Sequence, residues 1–414
     1  MKTNQAYRYE LKPNNKQRGL MAKHCGAARF AWNWGLSRRE IEYLVSGHSS
    51  NAIKQHRQLT ALKKTEFPWM YEVSKCAPQE ALRNLDRAYA NFFRGLKTGE
   101  DIGFPTFKKK GKHDSFTLTG AIRVAPDAVQ LPKLGAIKSK ESTSKFKGRI
   151  LSATVSREAD RWFVSLAVEY ERPEPQPIQG AIVGIDLGIN NFATIWDGKE
   201  AKKEESPKPL AKMLKKLKRV DRQHSRKKKG SQNSKKAALR QAQLHRKIRN
   251  TRKDFLAKLT SSLAKTKPVI IIEDLAVANM LRNHCLARSI ADCGWGEFRR
   301  MLEYKCKWYG SRLIVIGRFE PTSKMCHVCG AVNKDLDLSD RTWVCPSCGA
   351  MLDRDENAAI NIRQLGLEIL YTESSSGINA CGEGSSGSSL DAGAKLSSAK
   401  QEVSTLFAPS GCNK

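Results

Sequence analysis

"VGIDLGINNFAT", residues 183–194, is the stretch on which the reading of this 414-residue chain turns. It is an apolar run, an acid, a glycine and a second apolar run, which reads as a strand, a tight turn and a second strand. Asp186 stands inside the first strand, where an ionised carboxylate is unfavourable unless its charge is compensated. Two chemistries use such a strand. One cradles the phosphates of ATP, and the other holds a metal ion that cuts a nucleic acid backbone.

The phosphate-cradling ATPases need a second loop, Asp-Gly followed by small residues, and a Gly-rich adenosine pocket. The nearest Asp-Gly here is "WDGKEAKK" (196–203), where charged residues follow at once, and nothing supplies the pocket. Bulk composition favours the metal strand. The formal net charge is +32 and the pI about 9.8. A charge of that size repels itself unless a polyanion neutralises it, and nucleic acid is the leading partner. Hydrophobic residues make up 40%, enough for ordinary cores. No stretch approaches the roughly 18 consecutive apolar residues of a membrane span. The N-terminus, "MKTNQAYRYELKPNNKQ", lacks the apolar core of a signal peptide, so a cytoplasmic protein is expected. The 11 cysteines should then stay mostly reduced, and their odd number argues against a full disulfide framework.

Working outward along the chain, "AYRYELK" (6–12) alternates with Tyr7, Tyr9 and Leu11 on one face, a half-buried strand. Helical spacing follows over 15–46 through Phe30, Trp34 and Ile41, and over 78–97 through Leu82, Leu85, Tyr89, Phe92 and Leu96. The polar face of the second helix carries Gln79, Arg83 and Arg87 at four-residue steps, with Lys75 just before it; solvation or nucleic-acid contact both explain that face. Residues 104–172 read as β, with a hairpin signal in the stretch 149–173 in which Leu151, Ala153 and Val155 share a face and the "EAD" region makes the turn. The lone strand at 6–12 must join this sheet, since a single strand is not stable alone. "RPEPQPIQG" (172–180) is a Pro-rich linker. Beyond it come the hairpin of the opening stretch, a Lys/Arg-rich helical stretch from 202 to 258, the buried strand "PVIIIEDLAV" (268–277), a helix over 295–309 and the strand "RLIVIG". From about 370 the chain is Ser/Gly-rich and is expected to be disordered.

"CHVCG" and "CPSCG" place Cys326, Cys329, Cys345 and Cys348 as two CxxC pairs fifteen residues apart. Each pair offers two thiolates from one tight turn, and Gly330 and Gly349 follow where the chain must turn sharply. Four thiolates make a closed tetrahedral cage, the pattern of one structural zinc rather than a catalytic one. A segment of this length has no core of its own and would be held largely by the metal. His327 reads as a surface residue rather than a fifth ligand. The carboxylates are the second constellation. Asp186 lies on one strand, and Glu273 and Asp274 end another; neighbours on a strand face opposite ways, so only one of those two can join Asp186. In "LDRDENAAINI", Asp353 and Asp355 precede a short helix that Asp355 could merely cap. Three acids from separate segments suit a site for two magnesium ions.

With those residues in place, the sequence resembles the TnpB family of insertion-sequence-encoded proteins, relatives of the compact type V CRISPR effectors. The resemblance spans residues 5–368 and is carried by "ARFAWNWGL", "GFPTFKKKG", "GIDLGINNFAT", "IIIEDLAVANM", "WGEFRRMLEYKCKWYG", "PTSKMCHVCG" and "WVCPSCGAMLDRDENAAINI". It implies an α/β chain with an RNase H-like (RuvC) nuclease domain (179–320 and 350–368), a zinc ribbon insert (321–349) and an N-terminal β-barrel wedge domain (1–12 and 104–178). It also implies a helical recognition domain (13–103) interrupting the wedge, and leaves the tail at 369–414. It implies catalytic Asp186, Glu273 and Asp355, selecting Glu273 over Asp274 and Asp355 over Asp353. The implied activity is magnesium-dependent, RNA-guided cleavage of double-stranded DNA, with a guide RNA from the end of the element, in a prokaryotic, nucleoid-associated monomer. Lys75 and Gln79 sit where the family touches the DNA motif flanking the target, with Arg83 and Arg87 on the same face, and the basic helical stretch over 212–253 is expected to line the nucleic acid channel. Glu356 departs from the family, which usually has an apolar or small residue there; it either perturbs the metal site or faces solvent. The competing readings are a non-cleaving RNA- or DNA-binding regulator or transposition accessory, and a strand-joining transposase, for which no supporting Tyr, Ser or His arrangement stands out.

Overall fold

The computed structural model describes residues 2–337 and 339–378, with the side chains of 374–378 excepted. The chain forms two compact units, one of Met1–Glu174 with Lys216–Lys247 and one of Pro175–Lys215 with the chain from Ile248 onward.

The first unit opens with β1 (Lys2–Leu11), α1 (Asn15–Ser46), α2 (Ala52–Thr65) and α3 (Cys76–Thr98). A capping box of Asn14 and Gln17 starts α1, and Gly47, in the left-handed region, stops it. Then follow β2 (Ser115–Leu118), β3 (Arg123–Ala125), β4 (Ala128–Leu131), β5 (Gly135–Lys138), β6 (Arg149–Glu158) and β7 (Arg161–Glu171). The main sheet runs β1-β7-β6-β2, and β3-β4-β5 form a second. The N-terminal strand does join the sheet, antiparallel to β7 along its whole length. Helices and sheet share one core: Met21 and Leu36 of α1 and Leu82 and Leu85 of α3 pack in the same cluster as Phe116, Leu118, Val164 and Leu166.

Two apolar patterns are corrected here. Leu151 is exposed although Ala153 and Val155 are buried, because the β6–β7 register shifts between Ile150 and Ser152 and turns Leu151 off the inner face. The stripes of α1 and α3 outrun the core: Ile41 and Leu96, at their distal ends, are 53% and 66% exposed.

The second unit begins with β8 (Val183–Asp186), β9 (Asn191–Trp196) and β10 (Ala201–Glu205). The last strand corrects the helix expected from 202. Asp197 Oδ1 accepts the N–H groups of Lys199 and Glu200, closing an Asp-Gly turn that folds "AKKEE" back onto β9 as a charged edge strand. In chain order come helices α4 (Pro209–Ser225) and α5 (Gln232–Thr266), of which the Lys216–Lys247 portion counts with the first unit, then β11 (Val269–Glu273), α6 (Val277–Met280), α7 (Ala287–Cys293), α8 (Trp295–Tyr309) and β12 (Arg312–Ile316). The chain finishes with β13 (Thr342–Val344), β14 (Met351–Asp353) and α9 (Arg354–Ile378). Residues 370–378, expected to be disordered, continue α9, and the rest of that stretch lies outside the described residues.

The sheet order is β10-β9-β8-β11-β12. Strand β11 is parallel to both β8 and β12, while β9 is antiparallel to its neighbours. Both faces are covered. Val183, Ile185, Ile270 and Ile272 pack with Leu256 and Leu263 of α5 and Phe298 and Leu302 of α8. Val269, Ile271, Ile314 and Ile316 pack with Ile362 of α9. Two glycines let α9 lie this close. A Cβ at Gly184 would sit 2.3 Å from the carbonyl oxygen of Ala359, and one at Gly366 would sit 2.4 Å from Ile271.

Candidate metal centres

The cysteine site follows from two local turns. Gly330 N–H donates to Cys326 O at 2.8 Å and Gly349 N–H to Cys345 O at 2.9 Å, each glycine having positive φ. Cys326 N–H and Cys345 N–H donate to Ala331 and Ala350 across each knuckle. The four sulfurs all lie within 4.8 Å of one another, and the cysteines are unbridged. Among the described residues this is the one group of His, Cys, Asp or Glu gathered so tightly for a metal ion. The segment does have a small core, contrary to expectation: Leu336, Trp343 and Leu352 are buried beside Cys326 and Cys345. His327 is half-buried rather than a surface residue, its main-chain N–H and its ring Nδ1 each 3.0 Å from Asn357 Oδ1.

The carboxylate site follows from the sheet. Ile272 pairs with Ile185 in parallel register, so Glu273 ends β11 level with Asp186 at the end of β8. Side chains alternate along a strand, so Asp186 shares the face of Gly184 and Glu273 that of Ile271. Those are the two positions against which α9 is pressed. Asp355 lies in the first turn of α9. It is not the cap: Asp353 Oδ1 accepts the N–H groups of Asp355 and Glu356, both at 3.0 Å, and takes that role. The helix it starts is long, not short.

Charge separates the three acids from their neighbours. Burial, then the nearby Glu273 and Asp355, push the Asp186 carboxyl up to about 8. Burial also raises Glu273, with the Thr322 hydroxyl acting in the opposite sense. Asp274 behaves otherwise: Arg299 first, and Arg318 at 2.5 Å, hold its carboxyl below the usual range. Asp353 is likewise lowered, its burial outweighed by Lys203 at 2.9 Å and the α9 N–H groups. Glu356 pairs with the same lysine, 3.2 Å from Lys203 Nζ. Arg341 approaches Asp355 at 3.7 Å. Asp186, raised by burial and by the two carboxylates beside it, forms with them a donor set suited to a hard cation, whose charge would relieve that repulsion.

Of the remaining predicted residues, Lys75 directly precedes α3 without a side-chain capping bond and is exposed, and Gln79, Arg83 and Arg87 follow along the helix. Arg83 pairs with Glu80 at 2.7 Å and Arg87 donates to Asn84 at 2.5 Å. Sequence reading missed the polar residues joining the two centres, Thr322, Asn357 and Asn361 with their partners. The available signal was "NAAIN", two amides four residues apart on a helix face otherwise made of small and apolar groups.

A protein of Streptomyces pristinaespiralis named "Putative RNA-guided DNA endonuclease" is 37% identical over 390 residues, covering 92% of this chain and 91% of that one. The similarly named InsQ of Escherichia coli K12 is 33% identical over 401 residues, covering 92% and 95%. A "TnpB-like protein L79" of Acanthamoeba polyphaga mimivirus is 29% identical over 203 residues, 46% of this chain and 38% of that one. The chain belongs to the TnpB family. Family models described as "Probable transposase", "Cas12f1-like, TNB domain" and "Helix-turn-helix domain" match residues 165–284, 295–362 and 1–44. In this TnpB-family chain the last of these regions holds β1 and the single long helix α1. A Cas12f1–sgRNA–target DNA complex solved by cryo-EM shares the fold, with a TM-score of 0.51 at 15% identity, covering 87% of this chain and 99% of that one. Among the described residues no helix is long and apolar enough to cross a membrane.

Proposed function

We propose that this TnpB-family chain is an RNA-guided DNA endonuclease encoded by a transposable element, with Asp186, Glu273 and Asp355 as its catalytic acids. The second unit is read as an RNase H-like (RuvC) domain, and the four cysteines as holding one structural zinc. In the first unit the β sheets are read as a wedge for the guide RNA and the helices as a recognition element. Lys75, Gln79, Arg83 and Arg87 are its DNA-facing row. The net charge of +32 suits the two polyanions.

The observation that carries the reading is the meeting of three acids from β8, β11 and α9, with Asp186 pushed up to about 8 by burial first and then by Glu273 and Asp355. Asp186, Glu273 and Asp355 would hold magnesium. When bound, the ion supplies an activated water and neutralises the charge of the leaving oxygen. The chain's own contribution is placement. Burial beneath α9 keeps Asp186 and Glu273 from being solvated separately, Asp353 caps the helix so that Asp355 is not spent on the cap, and Asp274 is withdrawn from the site by its two arginines.

The test is cleavage of a plasmid carrying a matched target, using the purified protein with RNA transcribed from its own locus, in magnesium. Wild type is expected to linearise the plasmid, and Asp186→Ala to leave it supercoiled at background level. Guided cleavage by Asp186→Ala at the wild-type rate refutes the site. A wild-type complex that never cuts in any metal or salt condition favours the non-cleaving regulator.

A further inference from the structure

The turn between β12 and the first cysteine pair is bonded both to Glu273 and to α9. Met325 N–H donates to Pro321 O at 2.8 Å, closing the turn, and Cys326 follows directly. Thr322, 4% exposed, donates its hydroxyl to Glu273 Oε1. Its main-chain carbonyl accepts Asn361 Nδ2 at 2.8 Å and, more distantly, Asn357 Nδ2 at 3.3 Å. The same two amides donate to Met325 O at 2.6 and 2.7 Å. Asn357 and Asn361 are 1% and 0% exposed. They lie on α9, which also carries Asp355. One short turn is thus fixed at its backbone by the helix that bears one acid, and reaches with its side chain to another.

We propose that Thr322 is a positioning residue for Glu273, its hydroxyl setting the carboxylate's orientation while Asn357 and Asn361 of α9 set the hydroxyl. A glutamate has three side-chain torsions, and β11 fixes only where the side chain begins. With Oε1 engaged by Thr322, Oε2 accepts no hydrogen bond among the described residues and is left for a cation. The arrangement also ties the two centres together: the turn ends at Cys326, so the cysteine knuckle is built onto the segment that aims Glu273. Polar groups that orient ligands in this way typically change metal affinity by about ten- to a hundredfold when removed.

The inference rests on the carboxylates being a cation site, and the experiment separates the two. Calorimetric titration of Mn2+ into the full-length protein is compared for wild type, Asp186→Ala, Thr322→Val and Thr322→Ser, with zinc content measured for each. Thr322→Val keeps the shape and removes the hydroxyl; it is expected to weaken Mn2+ binding about tenfold or more. Thr322→Ser restores the hydroxyl and should bind within about twofold of wild type, since the donor that orients the ligand is retained. Zinc content should be unchanged in both. Thr322→Val binding as wild type does, or Thr322→Ser failing as Thr322→Val does, overturns the positioning role. So does a Thr322→Val variant that has lost its zinc, which would make the residue a support of the knuckle. A wild type that takes up no Mn2+, or an Asp186→Ala variant that takes it up undiminished, breaks the carboxylate reading itself.

Discussion

The cysteine knuckle and the carboxylate cluster, both proposed as cation sites, are assembled at opposite ranges. Cys326, Cys329, Cys345 and Cys348 come from one short segment, and each pair is shaped by a turn that a glycine permits. Asp186, Glu273 and Asp355 come from two strands and a helix, and meet because the sheet places β8 beside β11 and two glycines let α9 down onto them. The first site should therefore depend on the metal for its local fold, and the second on the packing of the whole unit.

The largest effect is expected at the knuckle. A structural zinc of this type contributes on the order of 10 kcal/mol to folding its segment. Cys326→Ser should lose the metal and open residues 321–353 to protease while the sheet survives, as read by elemental analysis and limited proteolysis. A variant with full zinc content or an uncut ribbon would break the contrast. Next comes the acid that packing has made costly. Asp186 is raised from 3.8 to about 8 in the folded protein. Its contribution to stability is thus fully present below about pH 4 and lost as pH rises through about 8. Without divalent cations, Asp186→Asn should match wild type near pH 4 and become progressively more stable than it up to about pH 8. Magnesium should narrow that gap. Urea midpoints across the range measure it, and a gap independent of pH would mean that neither burial nor the neighbouring acids raise Asp186.

A smaller effect tests the packing directly. In Gly184→Ala the new methyl would meet backbone, the Ala359 oxygen at 2.3 Å and the Arg363 nitrogen at 2.6 Å, and neither can swing aside. Overpacking of this kind costs about 1–3 kcal/mol. The denaturation midpoint and guided cleavage should both fall while zinc content stays whole. Gly19→Ala, with nothing within 4 Å, is the control that should leave all three unchanged or slightly raise stability.

The same difference in range explains what could be read from the sequence. The cysteines were legible because spacing alone implies the cage. The strands at 183–186 and 269–273 and the helix at 295–309 were legible because their burial is written in apolar runs and stripes. From the residues alone the acids were visible only as carboxylates at strand ends and a helix start, and the choice among them came from the family resemblance; that Asp274 turns to Arg299 and Arg318 while Glu273 turns to Thr322 is decided by partners far along the chain. Strand β10 was hidden because an edge strand needs no apolar face, and Leu151 because a bulge shifts the alternation without marking the sequence. Thr322 and the two asparagines were least legible, since a buried hydrogen bond depends on a meeting of segments that no local pattern records.

The smallest effect is expected at Glu356, beside the proposed acid Asp355. Its neighbour Asp355 belongs to the centre, so a second acid there raises the question of whether it competes for the cation. The geometry answers against competition. Glu356 follows Asp355 on α9 and is engaged by Lys203 of β10, which also holds the capping Asp353. The pair is solvent-accessible, with side chains 35% and 41% exposed, and an ion pair of that kind contributes about 0–1 kcal/mol. In Glu356→Ala, Lys203 keeps Asp353 and the cap is retained. Guided cleavage and Mn2+ affinity should therefore stay within about twofold of wild type, with a stability change under about 1 kcal/mol. A marked rise in Mn2+ affinity would show that Glu356 repels or diverts the ion. A marked fall would make it a fourth acid of the centre, and the long-range site would then reach one residue further along α9 than its three acids require.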